Sequence, residues 1–315
     1  FLRGLAAPRS AVGQMVLDAV PEHVREIARE ELEVRKTIGH GSTGQVHIGA
    51  WDGRDVAIKE VADPWGAHSA SPFAREIHAL TRAVHPNIVA LLGVVTESQP
   101  LSIVLELCRG GTCAERLYAV NAAEELPPMV WKQTFKIVTD TCEAMRHLHS
   151  LTPPIVHRDL KSMNLLFMQP VDKPEVVPEV KICDFGVARS KSSERDGMTP
   201  RGKSDDDWPI MTKAVGTCNW VAPEVFMGHI YDEKVDVYAF AMVCFEVIFY
   251  ELPFEELDPM EITALVTNGK RPSLDDPPPG IPEDFLRLVE LCWAHHKHLR
   301  PTFAEIANYL QRFSG

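Results

Sequence analysis

The apolar residues of this chain change their period once, just after Leu107, and that change constrains the fold more than any other feature. From Leu32 to Glu106, apolar and polar residues alternate in short runs: Leu32-Glu33-Val34-Arg35-Lys36-Thr37-Ile38, Gln45-Val46-His47-Ile48-Gly49 and Asp55-Val56-Ala57-Ile58-Lys59. A period of two is that of half-buried strands. Trp51-Asp52-Gly53-Arg54, between two of these runs, reads as a hairpin turn. Further strands are expected over 88–95 and 101–107, and Ile77, Leu80 and Val84 mark one helix over 73–84. Beyond Cys108-Arg109-Gly110-Gly111 the spacing turns helical. Val130, Phe135, Val138, Cys142, Met145 and Leu148 share one face of a helix over 130–150. Later helices fit 233–250, 258–268, 283–294 and 302–313. A β-rich first third followed by a helical remainder implies an α+β chain of two lobes with a cleft.

Ahead of the strands, Val12, Met15, Val16, Ala19 and Val20 fit one helical face, Pro21 interrupts, and Val24, Ile27 and Ala28 fit a second short turn. Residues 1–30 therefore read as a flank, either a helix packed on the main domain or an ordered linker. Lys plus Arg number 32 against 44 Asp plus Glu, so the net charge is −12, with no basic block. Such a chain is a poor partner for nucleic acid or an anionic membrane. Its longest apolar stretch, 235–250, contains Asp236 and Glu246 and reads as a buried helix rather than a membrane segment. The seven cysteines are odd in number and form no Cys-x-x-Cys pair, which points to buried thiols in a reducing compartment. No secretory signal is visible, so a cytoplasmic location is expected; the chain starts at Phe1 without Met, as a fragment would. Residues 168–179, with Pro170, Pro174 and Pro178, and the polar stretch 190–211 read as mobile loops.

Chemistry concentrates in a few motifs. Gly39-His40-Gly41-Ser42-Thr43-Gly44-Gln45-Val46 is a Gly-x-Gly-x-x-Gly-x-Val run joining two strands. Its glycines let backbone N–H groups approach phosphate oxygens, although Gly-rich turns are common in their own right. Val56-Ala57-Ile58-Lys59 ends a strand on a cation, which either enters a cleft or snorkels to solvent. Glu76, on the helix that follows, is a candidate partner for Lys59. His157-Arg158-Asp159-Leu160-Lys161-Ser162-Met163-Asn164 lies on a loop after a long helix. There Asp159 can accept a hydroxyl proton, Lys161 can neutralise a transferring phosphoryl group, and Asn164 can ligate a metal. Asp184-Phe185-Gly186 follows the strand Val180-Lys181-Ile182-Cys183 and supplies a carboxylate, the ligand that hard Mg²⁺ prefers. Ala222-Pro223-Glu224 follows further on.

Taken in order and on these element types, the motifs resemble the catalytic domain of the eukaryotic protein kinases, over roughly residues 32–313. The resemblance implies a bilobal fold with a flank over 1–30 and a kinase domain over 31–313. Within that domain it implies a small β-rich N-lobe with one key helix (31–107), a hinge (108–111) and a larger, mainly helical C-lobe (112–313). It implies ATP and Mg²⁺ as cofactors. Ile38, Gly39, Gly41, Gly44, Val46, Ala57 and Leu166 would surround the nucleotide, Leu105 would stand at the gatekeeper position, and the main chain of Glu106 and Cys108 would bind the adenine edge. Lys59, paired with Glu76, would contact the α- and β-phosphates. Asp159 would take the substrate proton, Lys161 would meet the γ-phosphate, and Asn164 and Asp184 would hold the metal. Asp236 would anchor the loop of Arg158 and Asp159, and Arg300 would pair with Glu224.

Lys161 and the Thr217 of Gly216-Thr217-Cys218-Asn219-Trp220 resemble the Ser/Thr type, and Lys161-Ser162, Trp220 and Cys292-Trp293 are similar to the tyrosine kinase-like group with its mixed-lineage and Raf-like members. The implied activity is phosphorylation of Ser/Thr hydroxyls in protein substrates, within signalling; the alternatives are a pseudokinase scaffold and a dual-specificity or tyrosine kinase. An upstream kinase acting on the activation segment, at Thr212 above all, is an expected partner. Two departures stand out: a long segment between Asn164 and Asp184, which reads as an extended hairpin tip, and a long polar stretch from Asp184 to Glu224. His295, His296 and His298 read as a solvated cluster rather than a metal site, and Cys183 as a core thiol rather than a reactive one.

Overall fold

Residues 20–41, 44–61, 72–121, 126–190 and 218–313 are described by the computed structural model. They divide into two units. One holds the described residues up to His85 together with Val89–Cys108 and Phe185–Val187; the other holds Pro86–Ile88, Arg109–Asp184 and the described residues from Ala188 onward.

Alternation organises the first unit. Its antiparallel sheet consists of β1 (Glu33–Gly41), β2 (Gly44–Trp51), β3 (Arg54–Val61), β4 (Leu91–Val95) and β5 (Leu101–Glu106), in the order β1-β2-β3-β5-β4. Asp52 and Gly53 turn β2 into β3 with φ of 51° and 72°, the primed turn whose twist matches paired strands. Val56 and Ile58 of β3 enter a core cluster with Ile27, Leu32, Trp51, Val95 and Val104. Ala57 and Lys59, one residue out of phase, belong to the opposite face. Helix α1 (Pro72–Arg82) lies beside β4 and buries Phe73, Ile77 and Leu80.

The approach to β1 differs from the short helical turn expected over Val24–Ala28. Ile27 N–H donates to Val94 O (2.8 Å) and Val94 N–H donates to Arg25 O (2.9 Å), so this segment is extended along the edge strand β4. An open strand edge satisfies backbone groups that a lone helical turn leaves unpaired. Ile27 is fully buried and the Arg25 guanidinium lies 4.4 Å over the Trp51 ring. A 3₁₀ turn over Arg29–Glu31 then leads into β1. The helical face expected over 12–19 lies outside the described residues.

The second unit contains α2 (Cys113–Asn121), α3 (Trp131–Ser150), α4 (Pro223–Phe226), α5 (Lys234–Phe249), α6 (Pro259–Thr267), α7 (Glu283–Cys292) and α8 (Phe303–Leu310). Two small antiparallel ladders accompany them: β6 (Ile155–Val156) with β9 (Arg189–Ser190), and β7 (Leu165–Phe167) with β8 (Val180–Ile182). Helix α3 packs on α8 and α5, and α5 packs on α7. Every residue of α5 from Val235 to Ile248 is buried, as an all-round apolar helix requires. No described helix is long and apolar enough to cross a membrane. Asp258 with Glu261, and Thr302 with Glu305, form capping boxes that set where α6 and α8 begin.

Residues 168–179 are pinned rather than mobile. Gln133 of α3 donates its amide to Lys173 O (2.7 Å) and Val176 O (2.8 Å), and Val171 is buried. Proline content signals the end of the β7–β8 ladder, not the α3 side chain that takes over from it.

Arg300 and Glu224 form a bidentate pair at 2.7 and 2.8 Å, both buried. Arg300 also donates to the carbonyls of Ala294 and Lys234. Removing one member of a buried pair leaves the other charged and desolvated, so Arg300→Met is expected to destabilise this unit by about 3–5 kcal/mol. Adding Glu224→Met should recover part of that loss. Denaturant unfolding of both variants checks the prediction.

Candidate active site

In the first unit the site residues cluster around β1, β2 and β3. Register places Gly39 opposite Val46, Gly41 opposite Gly44, and Val46 opposite Lys59. Gly44 has φ of 153°, and a Cβ there would fall 1.8 Å from Glu60 O, so only glycine fits where the hairpin returns. Lys59 points its Nζ to both carboxylate oxygens of Glu76, at 2.7 and 2.8 Å. Both residues are buried, which makes this a desolvated, oriented cation rather than a snorkelling one. The pair exists because β3 turns Lys59 away from the Val56–Ile58 core and α1 turns Glu76 to the face it shares with Leu80. Leu105 lies opposite Ala57 in the sheet. Glu106 accepts Ala90 N–H on its carboxylate (2.7 Å) and donates its own N–H to Ala90 O (3.0 Å). Ile38 is exposed to 47%.

In the second unit a single loop gathers Asp159, Lys161 and Asn164. Lys161 Nζ donates to Asp159 Oδ1 (2.9 Å) and Oδ2 (2.8 Å). Asn164 Nδ2 donates to Asp159 O (2.7 Å) and Oδ2 (3.0 Å). The loop hangs from Asp236 in the first turn of α5. That carboxylate accepts His157 N–H and Arg158 N–H, each at 2.8 Å, and faces His149 Nε2 at 2.9 Å. Burial alone would raise the Asp236 pKa, but the hydrogen bonds and charges of His149, His157 and Arg158 outweigh it and hold the group below the usual carboxylate range. Arg158 sits at φ of 70°, a left-handed conformation that a non-glycine residue holds only where its surroundings enforce it. His157 accepts Asp159 N–H on Nδ1 (3.3 Å) and lies 3.1 Å from Cys183 O through Nε2, an arrangement that the Nε2–H tautomer satisfies.

Asn164 and Asp184 are far apart in sequence, and the β7–β8 ladder closes that distance. Leu165 pairs with Ile182, and Cys183 N–H donates to Asn164 O at 3.0 Å, so the ends of the ladder bring the two residues together. The extra length of the hairpin tip leaves this ladder intact. Asn164 commits its amide N–H groups to Asp159, which leaves Oδ1 as the atom it can offer a cation. An amide oxygen and a carboxylate suit Mg²⁺, which takes its other ligands from water and phosphate. Asp159, Trp220, Val221, Ala222, Val225 and Tyr231 line a pocket beside this loop.

Residues 32–310 match the family described as protein tyrosine and serine/threonine kinase. The chain belongs to the protein kinase family. It is 34% identical over 282 residues to the serine/threonine-protein kinase CTR1 of Arabidopsis thaliana, covering 89% of this chain and 31% of the relative. It is 32% identical over 315 residues to human mitogen-activated protein kinase kinase kinase 10, covering 97% of this chain and 29% of the relative. A probable LIM domain-containing serine/threonine-protein kinase of Dictyostelium discoideum is 31% identical over 293 residues, with shares of 92% and 40%. The chain thus spans less than half the length of these relatives.

Among the motif residues, Thr212 and Thr217 lie outside the described residues. Leu166 belongs to β7, opposite Lys181. His149 was not legible as a site residue, since no local spacing links position 149 to Asp236; only the packing of α3 on α5 does. Asp236→Asn would turn an amide N–H toward donors that need an acceptor, and is expected to lower stability by about 1–3 kcal/mol. In the wild type a lowered carboxylate pKa contributes stability that is complete above the ordinary value of 3.8 and is lost as pH falls through the folded value. The variant lacks that acid-side loss. Denaturant titrations across the acid range check both expectations.

Proposed function

We propose that the chain is the catalytic domain of a protein serine/threonine kinase that transfers the γ-phosphoryl group of Mg·ATP to Ser and Thr hydroxyls of protein substrates in a signalling pathway. The observation that carries this reading is Asp159, an oriented carboxylate bonded by both Lys161 and Asn164 on a loop anchored to a buried aspartate. Asp159 orients the acceptor hydroxyl and takes its proton, and Lys161 neutralises charge on the phosphoryl oxygens. Lys59, held by Glu76, meets the α- and β-phosphates, and the backbone of Gly39, Gly41 and Gly44 covers them. Ile38, Val46, Ala57, Leu105 and Leu166 contact the base, with the main chain of Glu106 and Cys108 at its edge. Asn164 and Asp184 would hold the metal, which would supply positive charge against that of the phosphates.

The preference for Ser and Thr follows from reach. Lys161 stands within 2.9 Å of Asp159, so a hydroxyl on a short side chain can lie close to both. Cys113, Cys142, Cys244 and Cys292 are buried thiols, which supports a reducing, cytoplasmic setting. The human relative is named a kinase of a kinase kinase, which makes another protein kinase a natural substrate; an upstream kinase acting on the activation segment is a further expected partner.

Asp159→Asn is expected to retain ATP binding and to lose about 10²–10⁴-fold in kcat, the range for a lost general base. Radiolabelled transfer with phosphoamino-acid analysis reads the rate and the acceptor together. Phosphoserine and phosphothreonine are the expected products. Dominant phosphotyrosine would reassign the acceptor class, and a near-normal rate in Asp159→Asn would remove Asp159 from its role.

A further inference from the structure

Glu246 is a buried acid of the second unit that takes no part in those roles. It lies near the C-terminal end of α5, fully buried, and forms no ion pair among the described residues. Its carboxylate instead gathers side-chain donors from three elements. Oε1 accepts the Ser162 hydroxyl and, at 3.1 Å, the Tyr118 hydroxyl of α2; Oε2 accepts the Trp220 indole N–H at 2.6 Å. Ser162 directly follows Lys161 and opens the 3₁₀ turn Ser162–Asn164. Trp220 lines the same pocket as Asp159. One carboxylate therefore joins the loop that bears Asp159, Lys161 and Asn164 to Trp220, which lines the same pocket.

We propose that Glu246 is a positioning residue for the protein substrate: by binding Ser162 and Trp220 together it holds the Asp159 loop and the Trp220 wall at the spacing the acceptor hydroxyl requires, a role that rests on Asp159 acting as the base. Neither Ser162 nor Trp220 is among the residues assigned to the nucleotide, so the effect is expected on the protein substrate.

Charge state offers a way to see this. Burial raises the Glu246 carboxyl to about 7, against the lowering effect of its bonds from Ser162, Trp220 and Tyr118. The groups around it are Tyr118 and the Cys113 thiol from α2, the neutral donors Ser162 and Trp220, and Glu255, which acts on Tyr118; Arg116 acts on Cys113. The ionised form accepts all three bonds with charge assistance, whereas a proton on either oxygen removes that charge and takes up an acceptor position. The hold on Ser162 and Trp220 therefore tightens as pH rises through the Glu246 pKa.

The test uses the full chain, Mg·ATP and dephosphorylated casein. Glu246→Gln keeps one acceptor oxygen but turns an amide group toward a donor on its other side. It is expected to lower kcat/KM for casein about tenfold while the KM for ATP stays within about twofold. Wild-type kcat/KM for casein should rise with pH around an inflection near 7, and this inflection should vanish in Glu246→Gln. Trp220→Phe keeps the ring but removes a bond that lowers the Glu246 pKa, so its inflection should move to higher pH. That shift is measurable even if Glu246→Gln does not fold, and a merely structural tryptophan would not produce it. An unchanged inflection in Trp220→Phe, or a folded Glu246→Gln with wild-type kcat/KM and pH profile, overturns the proposal. Active wild type with inactive Asp159→Asn keeps the reading of Asp159 standing in either case.

Discussion

The buried carboxylate of Asp236 is the interaction on which the loop bearing Asp159 depends. It accepts the N–H groups of His157 and Arg158 at 2.8 Å each, from a loop segment that leaves the two-residue strand β6 and has no ladder partner for them. Left unsatisfied and out of reach of water, each of those donors would cost about 1–3 kcal/mol. With them satisfied, Arg158 can hold its left-handed backbone, and the chain reverses so that Asp159 meets Lys161 and Asn164. The anchor is rigid because α5 is buried along its whole middle and surrounded by α3 and α7.

The same device recurs at other charged positions. Lys59 with Glu76 and Arg300 with Glu224 are each buried and each paired. Such pairs add little net stability, since desolvation offsets much of the attraction. What they contribute is direction: a buried ammonium or carboxylate with one good partner has one orientation. In the first unit this orients Lys59 on its strand, and in the second it closes the Ala222–Glu224 segment onto the loop before α8. Glu246 belongs to this set with one difference. Its side-chain partners among the described residues are the neutral donors Ser162, Trp220 and Tyr118, and burial pushes its carboxyl up to about 7 against their lowering effect.

Much of this fold is legible in the sequence. The two periods of hydrophobicity located the strands of the first unit and the longer helices of the second, because burial of one face imposes a repeat of two on a strand and of 3.6 on a helix. Asp52-Gly53 announced its turn through the backbone freedom that the turn needs. Asp159, Lys161, Asn164, Lys59, Glu76 and Asp184 stand out in the sequence as candidates, since few residue types can move a proton, bind a phosphate or ligate magnesium. Helix α4, of four residues, was not legible, having too few turns to show a period.

What only the tertiary structure decided is which distant groups share a bond. No pattern along the chain links Gln133 to Lys173, His149 to Asp236, or Tyr118, Ser162 and Trp220 to Glu246. Each of these contacts forms because two elements pack and leave a buried polar atom that must find a partner within reach. The residues before β1 show the same rule: an open strand edge at Val94 drew Arg25 and Ile27 into extended pairing. Sequence by itself determined the alternation, the caps and the reactive side chains, because those follow from local sterics and chemistry. The satisfaction of buried hydrogen bonds is a property of the packed chain, and that is where the positions of the reactive groups were set.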